Sequence, residues 1–194
     1  IQAIVTKDDC QVIFIDTPGI HRPKSRLGEY MVKAAQSTLR EVDVVLLLIE
    51  AIRDDIGPED EYIISQLKNQ STPVFLVINK IDLTPKEKLL PLIAKYKDLM
   101  TFTEVIPISA LNDLGTDILL AEIEKRLPEG PKFFPDDMIT DQPERQIAAE
   151  IVREKILLLL SEEVPHGVAV EIESMKERVD KNIVDIQATI ICEK

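Results

Sequence analysis

Val74-Phe75-Leu76-Val77-Ile78-Asn79-Lys80-Ile81-Asp82 is the stretch on which the fold turns. Its first five residues are all apolar and three of them are β-branched. Such a run is strand-length rather than helix-length, and a strand with no polar alternation is covered on both faces. Four residues rich in polar groups follow at once, where the strand must end.

The same grammar repeats on either side. Residues 44–49 and 105–108 are further short apolar strands. Between them lie helical stretches at 59–68, opened by Gly57-Pro58, and at 86–99, opened by Thr84-Pro85 as cap then proline. Another helix is expected over 117–127. Upstream, 3–6 and 11–16 read as two strands joined by the polar turn Lys7-Asp8-Asp9. A Pro/Gly/charge loop covers 17–28, and a helical stretch then runs to about Arg40. Buried strands alternating with helices predict an α/β fold, a parallel sheet with helices on both faces.

Residues 128–143 break this rhythm with Pro128, Pro131, Pro135 and Pro143. Beyond them comes one long helix, about 144–162, with Ile147, Ile151 and Leu158 along one face. Strands at 168–173 and 184–192 follow, joined by a charged turn at 176–181. At about 50 residues this second segment is marginal as an independent fold.

Composition narrows the classes. Of 194 residues, 45% are apolar, enough for a real core, and no apolar run approaches the roughly 18 residues of a membrane span. Cys10 and Cys192 lie at opposite ends of the chain, and two histidines are too few for an obvious metal cluster, so two reduced thiols are expected. The net charge of −12 is shared by both segments, −5 over 1–128 and −7 over 129–194, which argues against nucleic-acid binding by this chain itself.

Three motifs stand at strand ends, where open α/β sheets bind ligands. In Asn79-Lys80-Ile81-Asp82, the Asp82 carboxylate can accept from guanine N1–H and from the exocyclic amine. Adenine offers neither group, and leaving a desolvated carboxylate unpaired costs on the order of 1–3 kcal/mol or more. Asn79 can bond the other edge of the base and tie neighbouring loops, and Lys80 can lay its stem over the ring. In Asp16-Thr17-Pro18-Gly19, Asp16 can serve Mg²⁺ directly or through water, and Gly19 lets a backbone N–H approach a terminal phosphate. In Ser109-Ala110-Leu111, Ala110 can offer its N–H to guanine O6. Each alone also fits an ordinary capped turn. Their shared order, spacing and strand-end placement point together to a guanine-nucleotide site.

These motifs resemble the third, fourth and fifth signature boxes of the translation-factor-type GTPases. The text around them resembles one family, the bacterial Era GTPases, through Asp16 to His21, Pro73 to Asp82, Pro107 to Leu111, Leu127 to Pro131, and Asp141-Gln142-Pro143-Glu144-Arg145. The resemblance implies a P-loop-NTPase-type G domain over 1–128, a linker over 129–142, and the start of an α+β KH-type RNA-binding domain over 143–194. It implies GTP or GDP and Mg²⁺ as ligands. Asp16, Thr17, Pro18, Gly19, Ile20, Asn79, Lys80, Ile81, Asp82, Ser109, Ala110 and Leu111 would line the nucleotide site, with Asp16 the metal residue. The implied role is slow GTP hydrolysis coupled to binding small-subunit ribosomal RNA in ribosome assembly. A cytoplasmic location, with peripheral contact at the inner face of the membrane, goes with it.

The chain also departs from the family. None of its six glycines begins a Gly-Lys-Ser/Thr and no two stand three apart, so a phosphate loop and a KH Gly-X-X-Gly loop are both absent. Residue 1 is Ile rather than Met, and the chain is expected to lack the first, central strand. Two apolar strand edges would then stand unpaired, marginally stable or paired with another chain. Ile20 occupies the place where Ras-like enzymes carry a water-orienting Gln, so no catalytic residue is assigned. Residues 20–28 fit both a nucleotide-sensitive switch and an ordinary surface loop. The competing readings are a non-catalytic RNA or protein interaction module with a vestigial guanine pocket, and another translation-factor-type GTPase.

Overall fold

The computed structural model describes residues 1–17, 38–39, 41–53, 55–68, 70–160, 167–178 and 183–192. The expected loop and helix over 18–37 lie outside them. The chain divides into two compact units, Val5–Asp137, and Ile1–Ile4 together with Met138–Lys194.

In the first unit β3 (Val45–Glu50), β4 (Val74–Asn79) and β5 (Glu104–Pro107) form a parallel sheet in that order. β4 lies in the middle, and its five apolar residues are 0–3% exposed, buried on both faces as expected. They divide by the period-2 rule. Val74, Leu76 and Ile78 join one core with Ile64, Leu67, Leu92 and Tyr96 from helices α1 (Pro58–Leu67) and α2 (Lys86–Leu99). Phe75 and Val77 join another with Ile106, Ile108, Leu119 and Ile123, the last two from α3 (Thr116–Glu124). Each of these side chains contributes roughly 1.5–3 kcal/mol by leaving water. Coverage on both faces is why β4 carries no polar residue.

β1 (Gln2–Thr6) and β2 (Gln11–Ile15) make a separate two-stranded sheet, closed by Lys7 N–H to Cys10 O at 2.9 Å. Val12 of β2 enters the Phe75–Val77 core, yet among the described residues β3 has β4 as its one partner strand. Leu48 on β3 is 59% exposed and Ile15 on β2 is 41% exposed. Among the described residues each of these two strands has one partner strand.

Two local expectations are corrected. Pro85, not Thr84, is the N-cap of α2, and Thr84 Oγ1 finds no hydrogen-bond partner among the described residues. The reason is that Thr84 closes a 3-10 turn over Ile81–Leu83, donating its N–H to Ile81 O at 3.3 Å. Proline at the cap then needs no side-chain oxygen, because its geometry presets the turn. Helix α1 follows expectation. Gly57 caps it, Pro58 is its first residue, and Asp60 Oδ2 accepts the Gly57 N–H at 3.1 Å.

Gln11 binds the segment that leaves this unit. Its Oε1 accepts from Phe133 and Phe134 N–H, both at 2.9 Å, and its Nε2 donates to Phe134 O at 3.0 Å and Thr6 Oγ1 at 2.9 Å.

In the second unit α4 (Glu144–Leu159) precedes the antiparallel pair β6 (Val168–Glu177) and β7 (Val184–Cys192). β6 runs further than expected, through Lys176 opposite Asp185 and Glu177 opposite Val184, because the charged residues form the solvated end of the ladder. A bulge lies between Ile172 and Ser174, and the Arg145 guanidinium donates to the carbonyls of Ile172 and Glu173 there. The helix face is shifted from the expected one. Ile147 is half-buried along with Val152 and Ile156, but Ile151 and Leu158 are exposed. The strand from residues 2–4 continues this unit, with Ile4 N–H on Ile139 O at 2.9 Å and Gln2 N–H on Asp141 Oδ1 at 3.0 Å.

Candidate guanine-nucleotide site

Parallel pairing puts three strand ends side by side. Glu50 lies opposite Asn79, and Ile78 opposite Pro107. Backbone bonds carry the alignment past the strands, with Ala51 N–H on Asn79 O at 2.8 Å, Ile108 N–H on Ile78 O at 2.8 Å and Ile81 N–H on Ile108 O at 3.2 Å. The Asn79–Asp82 and Ser109–Leu111 motifs, about 30 residues apart in sequence, are therefore neighbours.

Asn79 Oδ1 is the joint between them. It accepts the Lys80 N–H at 2.8 Å and the Ala110 N–H at 3.0 Å. Lys80 is left-handed at φ 63°, which costs roughly 1–2 kcal/mol for a residue with a Cβ. The bend turns the chain off the strand axis and into the 3-10 turn that carries Asp82. Asp82 is exposed, and among the described residues no protein group donates to its carboxylate.

The Ser109 loop is built to hold one shape. Ser109 and Leu114 exchange N–H···O bonds at 2.9 and 3.0 Å, and the wholly buried Ser109 Oγ accepts from Asn112 N–H at 3.3 Å. Gly115 follows at φ +76°, and a Cβ there would lie 2.7 Å from Pro107 O. Only glycine satisfies both conditions. Ala110 and Leu111 are exposed at the tip, Leu111 at 88%.

Asp16 and Thr17 follow β2, Asp16 exposed and Thr17 half-buried. Pro18, Gly19 and Ile20 lie outside the described residues. Among the described residues no three His, Cys, Asp or Glu side chains gather as a metal cluster.

One residue of this region was not anticipated. Glu50 ends β3 as Asn79 ends β4, and it forms an ion pair with Lys80 Nζ. That hydrogen bond holds the Glu50 carboxyl below the usual carboxylate range. Its position at the end of an apolar strand was the available signal.

Residues 2–129 match the family model of the elongation factor Tu GTP-binding domain. The whole chain is 56% identical to GTPase Era of Ruminiclostridium cellulolyticum and 54% identical to GTPase Era of Alkaliphilus metalliredigens, spanning 64% and 65% of those proteins. Among solved structures it resembles a variant of Aquifex aeolicus Era bound to GDP·AlF4⁻, with a TM-score of 0.84 at 42% identity. It also resembles Era in complex with MgGDPNP and nucleotides 1506–1542 of 16S ribosomal RNA, with a TM-score of 0.82 at 42% identity. Both matches cover all of this chain and 66% of the solved one.

Proposed function

The chain belongs to the Era-type GTPases, within the family of the elongation factor Tu GTP-binding domain, and on that premise we propose that its parent protein binds GTP and GDP through the strand-end site and hydrolyses GTP slowly. The observation that carries this reading is the Asn79 joint, which bonds the Ala110 N–H to the loop bearing the exposed Asp82 carboxylate. Guanine fits that pair of groups. Asp82 accepts from N1–H and the amine, the Ala110 N–H is shared with O6, and the Lys80 stem covers the ring. Ser109 holds the loop that carries Ala110, while Ile81 and Leu111 flank the base.

Asp16 fits the role of Mg²⁺ residue, because an exposed carboxylate at a strand end suits a hard cation. Bound Mg²⁺ would neutralise charge on the phosphates. Thr17, Pro18, Gly19 and Ile20 would neighbour the terminal phosphate. Since Ile20 cannot orient water, turnover depends on other groups, and the chain as given, with no Gly-Lys-Ser/Thr, is expected to hydrolyse no GTP.

The α4-β6-β7 unit supports a KH-type RNA-binding domain, and the rRNA complex of the related Era supports small-subunit ribosomal RNA and ribosome assembly as the target. A cytoplasmic location with peripheral membrane contact belongs to the same proposal. Among the described residues no helix is long and apolar enough to cross a membrane.

Titration calorimetry of the full-length protein with GDP and with ADP tests the base reading. Preference for GDP is expected, and equal binding of ADP would overturn it.

A further inference from the structure

The guanine reading leaves Glu50 without a role. Glu50 is 30 residues from Lys80 in sequence, yet the sheet register sets it opposite Asn79, and Ala51 N–H on Asn79 O ties the two chain segments just beyond. The start of the Lys80 side chain is equally fixed, by the left-handed backbone and by its N–H on Asn79 Oδ1. Glu50 then captures the far end, the Nζ. A lysine stem clamped at both ends has lost most of the rotamer freedom it would otherwise surrender on binding a ligand. Both side chains are partly exposed, Lys80 at 44% and Glu50 at 38%, so the pair is worth little to folding stability. Its value lies in where it keeps the stem.

We infer that Glu50 is a positioning residue for the guanine nucleotide, holding the Lys80 stem ordered beside the Asn79–Asp82 loop so that its methylenes are in place for the base. This rests on the guanine reading above. Glu50 acts through Lys80 and touches no base itself.

A double-mutant cycle on the full-length protein, read as the Kd for GDP, tests this. Glu50→Gln should weaken GDP binding about three- to tenfold, the size expected for one rotamer-rich side chain ordered on binding. In the Lys80→Ala background the same substitution should change nothing further. A role confined to folding would act equally in both backgrounds and would lower Tm, which Glu50→Gln should leave within about a degree. GDP preference retained with Glu50→Gln inert, or with additive effects in the cycle, overturns the role of Glu50 alone. No preference for GDP over ADP in the unmutated protein overturns the guanine reading and this inference with it.

Discussion

The Asn79 side chain accepts the Ala110 N–H at 3.0 Å, and this contact joins the backbone bonds of Ile108 to Ile78 and of Ile81 to Ile108 in coupling the ends of β4 and β5. The same oxygen takes the Lys80 N–H, so truncation releases two backbone donors at once. Asn79→Ala should lower stability by about 1–2 kcal/mol, the scale of two such bonds. It should also weaken GDP binding to the full-length protein by more than that loss of stability implies, since both loops become free to move. Chemical denaturation and GDP titration of the same variant separate the two effects.

Gly115→Ala should be more damaging than its single methyl suggests. The new Cβ meets a backbone oxygen at 2.7 Å, and the residue sits in the left-handed region. Strain of about 1–3 kcal/mol is expected, expressed as a lower denaturant midpoint at unchanged slope. A neutral midpoint would mean that the Ser109–Leu114 loop gives way more easily than its hydrogen bonds indicate.

Tyr96 and Asp60 give the first unit an alkaline weakness. The Tyr96 hydroxyl, on a residue 1% exposed, donates to Asp60 Oδ2 at 3.1 Å. Asp60 also accepts from Arg53 Nη1 at 3.1 Å. Burial and the Asp60 charge raise the phenol well above its usual value of 10.0. The folded state thus holds its proton where the unfolded chain has lost it. The contribution is complete below pH about 10 and declines as pH rises from there toward the folded pKa. Tyr96→Phe should cost about 1.5–3 kcal/mol at neutral pH, as expected for a bond to a charged group, and should flatten the loss of stability above pH 10. An unchanged alkaline limb would assign the decline to other groups.

The exposed edge of β3 predicts association. A run of five apolar residues that has one strand partner among the described residues, with Leu48 59% exposed, is a template for further pairing. Sedimentation of the chain as given should show mass rising with concentration, and Leu48→Lys should suppress the rise. A monomer at all concentrations without the substitution would contradict this.

Much of this was legible in the sequence because it is local or periodic. The all-apolar run from Val74 to Ile78 announces a strand covered on both faces, and the split of Phe75 and Val77 from Leu76 and Ile78 follows from the pleat. The adjacency of Asn79 and Ala110 followed from both being strand ends. What sequence concealed is long-range or depends on backbone state. The Glu50–Lys80 pair exists only through sheet register. The Gln11 bonds to Phe133 and Phe134 span more than 120 residues. The left-handed Lys80 is not a propensity of lysine, and it is what creates the 3-10 turn that displaces Thr84 from its expected role as a cap.

The central claim is that Asp82 reads guanine, and exchanging its chemistry tests that most directly. Asp82→Asn turns one acceptor into a donor, which mismatches the guanine amine and matches the O2 carbonyl of xanthine. The Kd values of the full-length protein for GDP and for xanthosine diphosphate should therefore cross. GDP should weaken by at least about tenfold, the scale of one charged hydrogen bond, and the xanthine nucleotide should become the tighter ligand. Unchanged GDP affinity in Asp82→Asn, or an equal loss for both nucleotides, would contradict the account.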